Sequence, residues 1–214
     1  MGQHRGRSYF LCVFVSLGLL FGIPSIGHFL PGFSQVHAAD TGFKTTGNIV
    51  SAGSWLNFTT TRLNTSDDSR ANTTTNGSYG VCSTYNFGVP TGARIDGIEV
   101  QAEVSKGGGA NGTYAIQLSW DGGSSWTTAK TGSFTSSDTL NTHGGATDTW
   151  GRVWRYTDFS NASFQLEIAK TSGANLRLDF VQIKVYYTTG TFLFRKKATV
   201  NFSALGPSCS SNLS

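Results

Sequence analysis

Charge is scarce in this 214-residue chain: Asp, Glu, Lys and Arg together make up 13%, about half the usual share. Proline (4), histidine (4), cysteine (3) and methionine (1) are rarer still. So little charge excludes a coiled coil or helical bundle, which needs abundant Ala, Glu, Lys and Leu. Disorder is excluded as well, because 38% hydrophobic and 13% aromatic residues supply a core. Three cysteines do not make a disulfide scaffold. Beyond residue 38 His143 is the one histidine, too few for a His/Cys zinc site, and in Asn141-Thr142-His143-Gly144-Gly145 it reads as a surface loop residue. No Gly-x-Ser-x-Gly elbow offers a hydrolase nucleophile. Lys106-Gly107-Gly108-Gly109 lacks the phosphate-loop spacing and reads as a hairpin tip.

The net charge of +4 comes from the ends. Arg5 and Arg7 lie at the start, and Arg195, Lys196 and Lys197 near the C-terminus. From Asp40 to Gly190 there are 11 basic and 12 acidic residues. A nucleic-acid surface needs a clustered positive field, and none is present there.

The N-terminus has the layout of an export signal. His4, Arg5 and Arg7 precede an apolar run from Tyr9 to Ile23, and Val36-His37-Ala38 suits cleavage after Ala38. Gly22 and Pro24 interrupt the run, whereas a spanning helix needs about 20 apolar residues; an uncleaved anchor is the alternative, since apolar residues recur to Phe33. The expected organisation is a signal peptide over 1–38, one domain over 39–190, and a tail or linker over 191–214. The mature protein is then secreted or held at the cell surface, with no membrane span. Cys82 and Cys209 are the pair that an oxidising compartment can join; an unpaired thiol is the other reading.

What the chain does have is period-two alternation. Residues 98–104, 114–120, 164–168 and 181–187 alternate apolar and polar side chains, as strands with one wet face do. Leu176, Leu178 and Phe180 hold the opposite parity to Val181, so a bulge or bend is expected between Phe180 and Val181. Residues 55–58 and 81–87 are weaker strand candidates. With Gly-, Asn- and Ser-rich turns between them, these runs predict an all-β fold: a two-sheet antiparallel β-sandwich, jelly-roll-like.

Ser119, Asp121, Gly123 and Trp126 fit Ser-x-Asp-x-Gly-x-x-Trp, and the segment resembles the Asp-box of sialidases and other secreted β-rich proteins. The resemblance implies a structural hairpin: Asp121 bonds turn amides, Gly123 takes positive φ, and Trp126 packs back. There is one copy, and a six-bladed propeller needs roughly 250 residues at about 40 per blade. Residues 86–100 and the run 179–187 resemble parts of secreted bacterial or phage-associated β-sandwich domains of no settled function. That likeness spans 42–189, implies an exported or virion context, and transfers no catalytic residue.

Glycosidase chemistry needs carboxyls about 5–5.5 Å or about 6.5–9.5 Å apart. Glu99 and Glu103, four residues apart on one strand face, are separated by roughly 13 Å; Glu167 is left as a cross-strand partner for either. Asp138, Asp148 and Asp158 are conceivable calcium ligands without a diagnostic spacing, so no cofactor or metal site is expected. The aromatic and cationic run Trp150, Arg152, Trp154 and Tyr156 is the candidate ligand face: as a strand, its first three would share one side and stack on sugar rings. Against this, both Trp residues can cap the core while Arg152 reaches to water. The expected function is a non-catalytic exported structural or adhesive module with a surface-protein partner. A carbohydrate-binding module with a glycan partner is the alternative, and a glycan-acting hydrolase the third reading.

Overall fold

Side chains on a pleated strand point alternately to opposite faces, so the alternating runs need two sheets to bury their apolar halves. The computed structural model describes residues 37–190 and shows that solution. The strands are β1 (His37–Asp40), β2 (Lys44–Thr45), β3 (Asn48–Ser51), β4 (Ala71–Thr73), β5 (Tyr79–Ser83), β6 (Arg94–Lys106), β7 (Gly112–Ser119), β8 (Lys130–Phe134), β9 (Thr139–Gly145), β10 (Gln165–Lys170) and β11 (Leu176–Thr189). The first sheet runs β1-β11-β6-β9, with β2 and β4 also paired to β11; the second runs β3-β5-β10-β7-β8. Every pairing is antiparallel.

The core lies between the sheets. Ile98, Val100, Ala102 and Val104 of β6 and Val181, Ile183 and Val185 of β11 share one cluster with Tyr114, Ile116 and Leu118 of β7 and Leu166 and Ile168 of β10. Each buried Val, Leu or Ile side chain here contributes about 1.5–3 kcal/mol, which fixes the register, since a one-residue slip would turn each apolar set to water.

Several expectations are corrected. The parity switch in β11 comes at Asp179, one position before the expected point. The register with β6 jumps between Leu178 and Phe180, so Asp179 is the extra residue of a bulge and Phe180 already faces outward. Residues 55–58 form no strand: Leu56 makes an isolated bridge to Asn72, and Asn57 has φ 58°. Of residues 81–87 only the first three extend a strand, since Thr84 and Asn86 take positive φ. β8 and β9 carry too few apolar side chains to stand out in the sequence. His143 is in β9, not in a loop, and is 6% exposed.

β1 places His37 opposite Thr189 and Ala38 opposite Thr188. Cleavage after Ala38 would remove these two pairs and keep Ala39–Tyr187 and Asp40–Tyr186. The rest of the leader and the tail 191–214 lie outside the described residues, as does Cys209. Cys82 is fully buried in β5, and burial pushes its thiol up to about 12; at neutral pH it is protonated and a poor nucleophile.

Asp179 is 1% exposed, accepts a hydrogen bond from the Asp68 amide (3.1 Å) and leaves its other carboxylate oxygen without a partner. Burial raises its pKa, outweighing that amide. A carboxyl with a raised folded pKa favours the fold below its unfolded value, and that gain disappears as pH rises through the folded value. Asp179→Asn is therefore expected to raise the melting temperature at pH 7, with a smaller difference at pH 3. Thermal melts at both values check it, and a lower melting temperature at pH 7 would contradict it.

Candidate functional site

The run from Trp150 to Tyr156 does not form a strand. Trp150 and Gly151 both take positive φ (55° and 77°), and a 3-10 turn follows at Tyr156–Phe159. Trp150 and Trp154 are each 4% exposed. The Trp150 indole N–H donates to the Ile98 carbonyl at 2.9 Å, and that of Trp154 to Thr149 at 2.7 Å. Trp154 packs on Phe159 and Phe164, with centroids 5.4 and 5.9 Å away. The Arg152 guanidinium lies over the rings of Trp120 (3.8 Å) and Trp154 (4.5 Å) and pairs with Asp158 at 3.2 Å. The expected stacking face is thus corrected: its indoles belong to the core and Arg152 covers them, because a turn at Trp150 replaces the strand. Tyr156 alone of the four is exposed.

The turn after β7 holds its residues by local bonds. The Asp121 carboxylate accepts from the Ser125 amide (2.7 Å) and the Ser119 hydroxyl (3.0 Å), and the Ser119 oxygen accepts from the Gly123 amide (2.9 Å). Gly123 has φ 91°, and Trp126 bridges back to Ser119. These contacts organise a hairpin and present no reactive group.

The aspartates considered for calcium face different cations: Asp138 meets Arg70, Asp148 meets Lys130 (2.7 Å) and Asp158 meets Arg152. Among the described residues no three His, Cys, Asp or Glu side chains are grouped to hold a metal. Glu167 cannot join Glu99 or Glu103. β10 and β6 are in different sheets, and these carboxylates occupy the outward positions of each strand. Sheets pack about 10 Å apart, so the outer faces are farther apart than either glycosidase geometry allows.

A different constellation lies on the outer face of the first sheet. Register places Glu99 of β6 opposite Lys184 of β11, Gln101 opposite Gln182 and Glu103 opposite Phe180. On the other side of β6, Thr142 and Leu140 of β9 flank Gln101 and Glu103. Their side chains form a continuous chain. Gln182 donates to Gln101 (2.7 Å), Gln101 donates to Glu99 (2.8 Å), and the Tyr186 hydroxyl donates to the other Glu99 oxygen (2.6 Å). That bond to Glu99, with burial, pushes the Tyr186 phenol up to about 12, so it stays a donor through the physiological range. Lys184 reaches over the Phe43 ring, 4.2 Å from its centroid. Phe43, Glu99, Gln101, Gln182, Lys184 and Tyr186 are half-buried, whereas Leu140 and Thr142 are exposed. The strands that carry them and the outward parity of Glu99, Gln101, Gln182, Lys184 and Tyr186 are readable in the sequence; the register that joins them is not.

No family model and no curated protein matches the chain. Among solved structures it is similar to a family 4 carbohydrate-binding module (12% identity, 56% of this chain and 72% of that one, TM-score 0.36). It is also similar to a xylan-binding domain from Paenibacillus barcinonensis (16%, 66% and 96%, TM-score 0.36) and a family 29 carbohydrate-binding module from Piromyces equi (13%, 72% and 91%, TM-score 0.28). Likenesses this remote carry no argument about what this chain binds.

Proposed function

We propose that the chain is an exported, non-catalytic glycan-binding module whose ligand lies on the outer face of the first sheet. The observation that carries this reading is the hydrogen-bonded series Gln182–Gln101–Glu99–Tyr186. Ordering a free side chain on binding costs about 0.5–1.5 kcal/mol; here the side chains are ordered before a ligand arrives. Amide, carboxylate and phenol supply both donors and acceptors, as sugar hydroxyls require, and Phe43, Phe180 and Tyr186 offer apolar borders. Export rests on the leader, with its basic start, apolar run and small-residue site at Ala38.

Glycan-array screening of the purified protein, followed by calorimetry, tests the proposal. Gln101→Ala and Tyr186→Phe are each expected to weaken binding about tenfold, equivalent to about 1.4 kcal/mol, with little change in melting temperature. Retention of no glycan, or variants that bind as tightly as the parent, would contradict it.

An adhesive role draws on another feature. Val153 is 88% exposed at the tip of a loop that Trp150, Trp154 and Arg152 hold in place. A rigid apolar tip suits attachment to a protein surface. A protein partner captured by the intact chain and lost with Val153→Asp would favour that role.

A further inference from the structure

Glu99 and Lys184 are direct cross-strand neighbours on one face. Opposite charges in that position ordinarily attract into a pair. No ion pair joins them, and Lys184 makes none among the described residues. Each is held elsewhere. The Lys184 ammonium sits over the rings of Phe43 (4.2 Å) and Tyr186 (5.4 Å), while Gln101 and Tyr186 each hold one Glu99 oxygen.

Both groups keep unused capacity. An ammonium has three donors, and each carboxylate oxygen can accept a second hydrogen bond. What fits beside such a pair is a group that donates and accepts at once, which a hydroxyl does. We infer that Lys184 and Glu99 clamp adjacent hydroxyls of an uncharged sugar, one hydroxyl accepting from the ammonium and its neighbour donating to the carboxylate.

Charge supports an uncharged ligand. The pair sums to zero; Glu103 on β6 and Asp40 opposite Tyr186 on β1 add negative charge to this face, while Asp96 further along β6 is already paired with Arg94. A uronate or sulfate would gain from Lys184 and be repelled by three carboxylates. Neutral hydroxyls meet no such penalty. This inference rests on the glycan-binding reading and specifies its ligand class.

The test compares affinity for neutral hexasaccharides (cellohexaose, xylohexaose) with that for polygalacturonate, in low and in molar salt. The proteins are the full chain, Lys184→Met and Glu99→Gln, with melting temperature measured for each. Neutral sugar is expected to bind, with little salt dependence because no ligand charge is screened. Each variant should lose about tenfold, and the double variant little more than either single one, since both changes break one clamp. Preference for polygalacturonate that fades in molar salt would overturn the inference. So would folded Lys184→Met and Glu99→Gln proteins that bind as tightly as the parent while Gln101→Ala does not; the binding face would then survive without the clamp. Binding to no glycan would remove the reading beneath it.

Discussion

Trp154→Ala is expected to lower the unfolding free energy by about 3–5 kcal/mol, the range for deleting a buried Trp or Phe. The indole fills the centre of an aromatic group that includes Phe159, Phe164 and Trp120, and its N–H satisfies the Thr149 carbonyl. Removing it opens a cavity, frees that carbonyl and takes away one of the two rings beneath Arg152. In a domain of about 150 residues 1 kcal/mol moves the melting temperature by about 2–4 °C, so a drop of roughly 10 °C is expected in a thermal melt. The same substitution would have silenced a sugar-stacking face without unfolding anything. A variant with native melting temperature and lost glycan binding would return this Trp to the ligand site.

His143→Ala is expected to cost about 3 kcal/mol. The ring of His143 on β9 meets the Tyr114 hydroxyl on β7 at 2.9 Å, a polar contact between the two sheets inside the core. Alanine leaves a void and a buried hydroxyl without a partner, the latter alone worth about 1–3 kcal/mol. Burial, helped by the nearby charge of Lys130, lowers the His143 pKa below 6.5. With the folded pKa depressed, the unfolded chain takes up its proton first, so stability falls as pH drops from about 6.5 toward the folded value. Tyr114, pushed up to about 12 mainly by burial, stays neutral throughout. His143→Gln should flatten the acid side of the stability curve. Urea titrations from pH 7 to pH 5 measure it, and equal slopes in both proteins would count against a buried neutral imidazole.

The two-sheet architecture was legible because its longest strands alternate strictly: residues 98–104 and 181–187 appear inside β6 and β11 with their apolar sets buried. β9 was not legible, since Thr139–Gly145 buries one side chain, His143, and has no apolar stripe. The Trp150–Tyr156 run misled for a related reason. Alternation of aromatic and cationic residues looks the same in a strand and in a turn, and the positive φ at Trp150, unusual for a bulky side chain, has no composition cue. Glu99, Gln101, Lys184 and Tyr186 were visible as outward positions, yet their meeting depends on the bulge at Asp179, which shifts the register of everything beyond it in β11.

Amide chemical-shift mapping with a bound neutral oligosaccharide tests the central claim most directly. The account predicts that perturbed amides cluster in residues 99–103 of β6 and 180–186 of β11. Perturbations confined to residues 150–156, or spread over the second sheet, would contradict it.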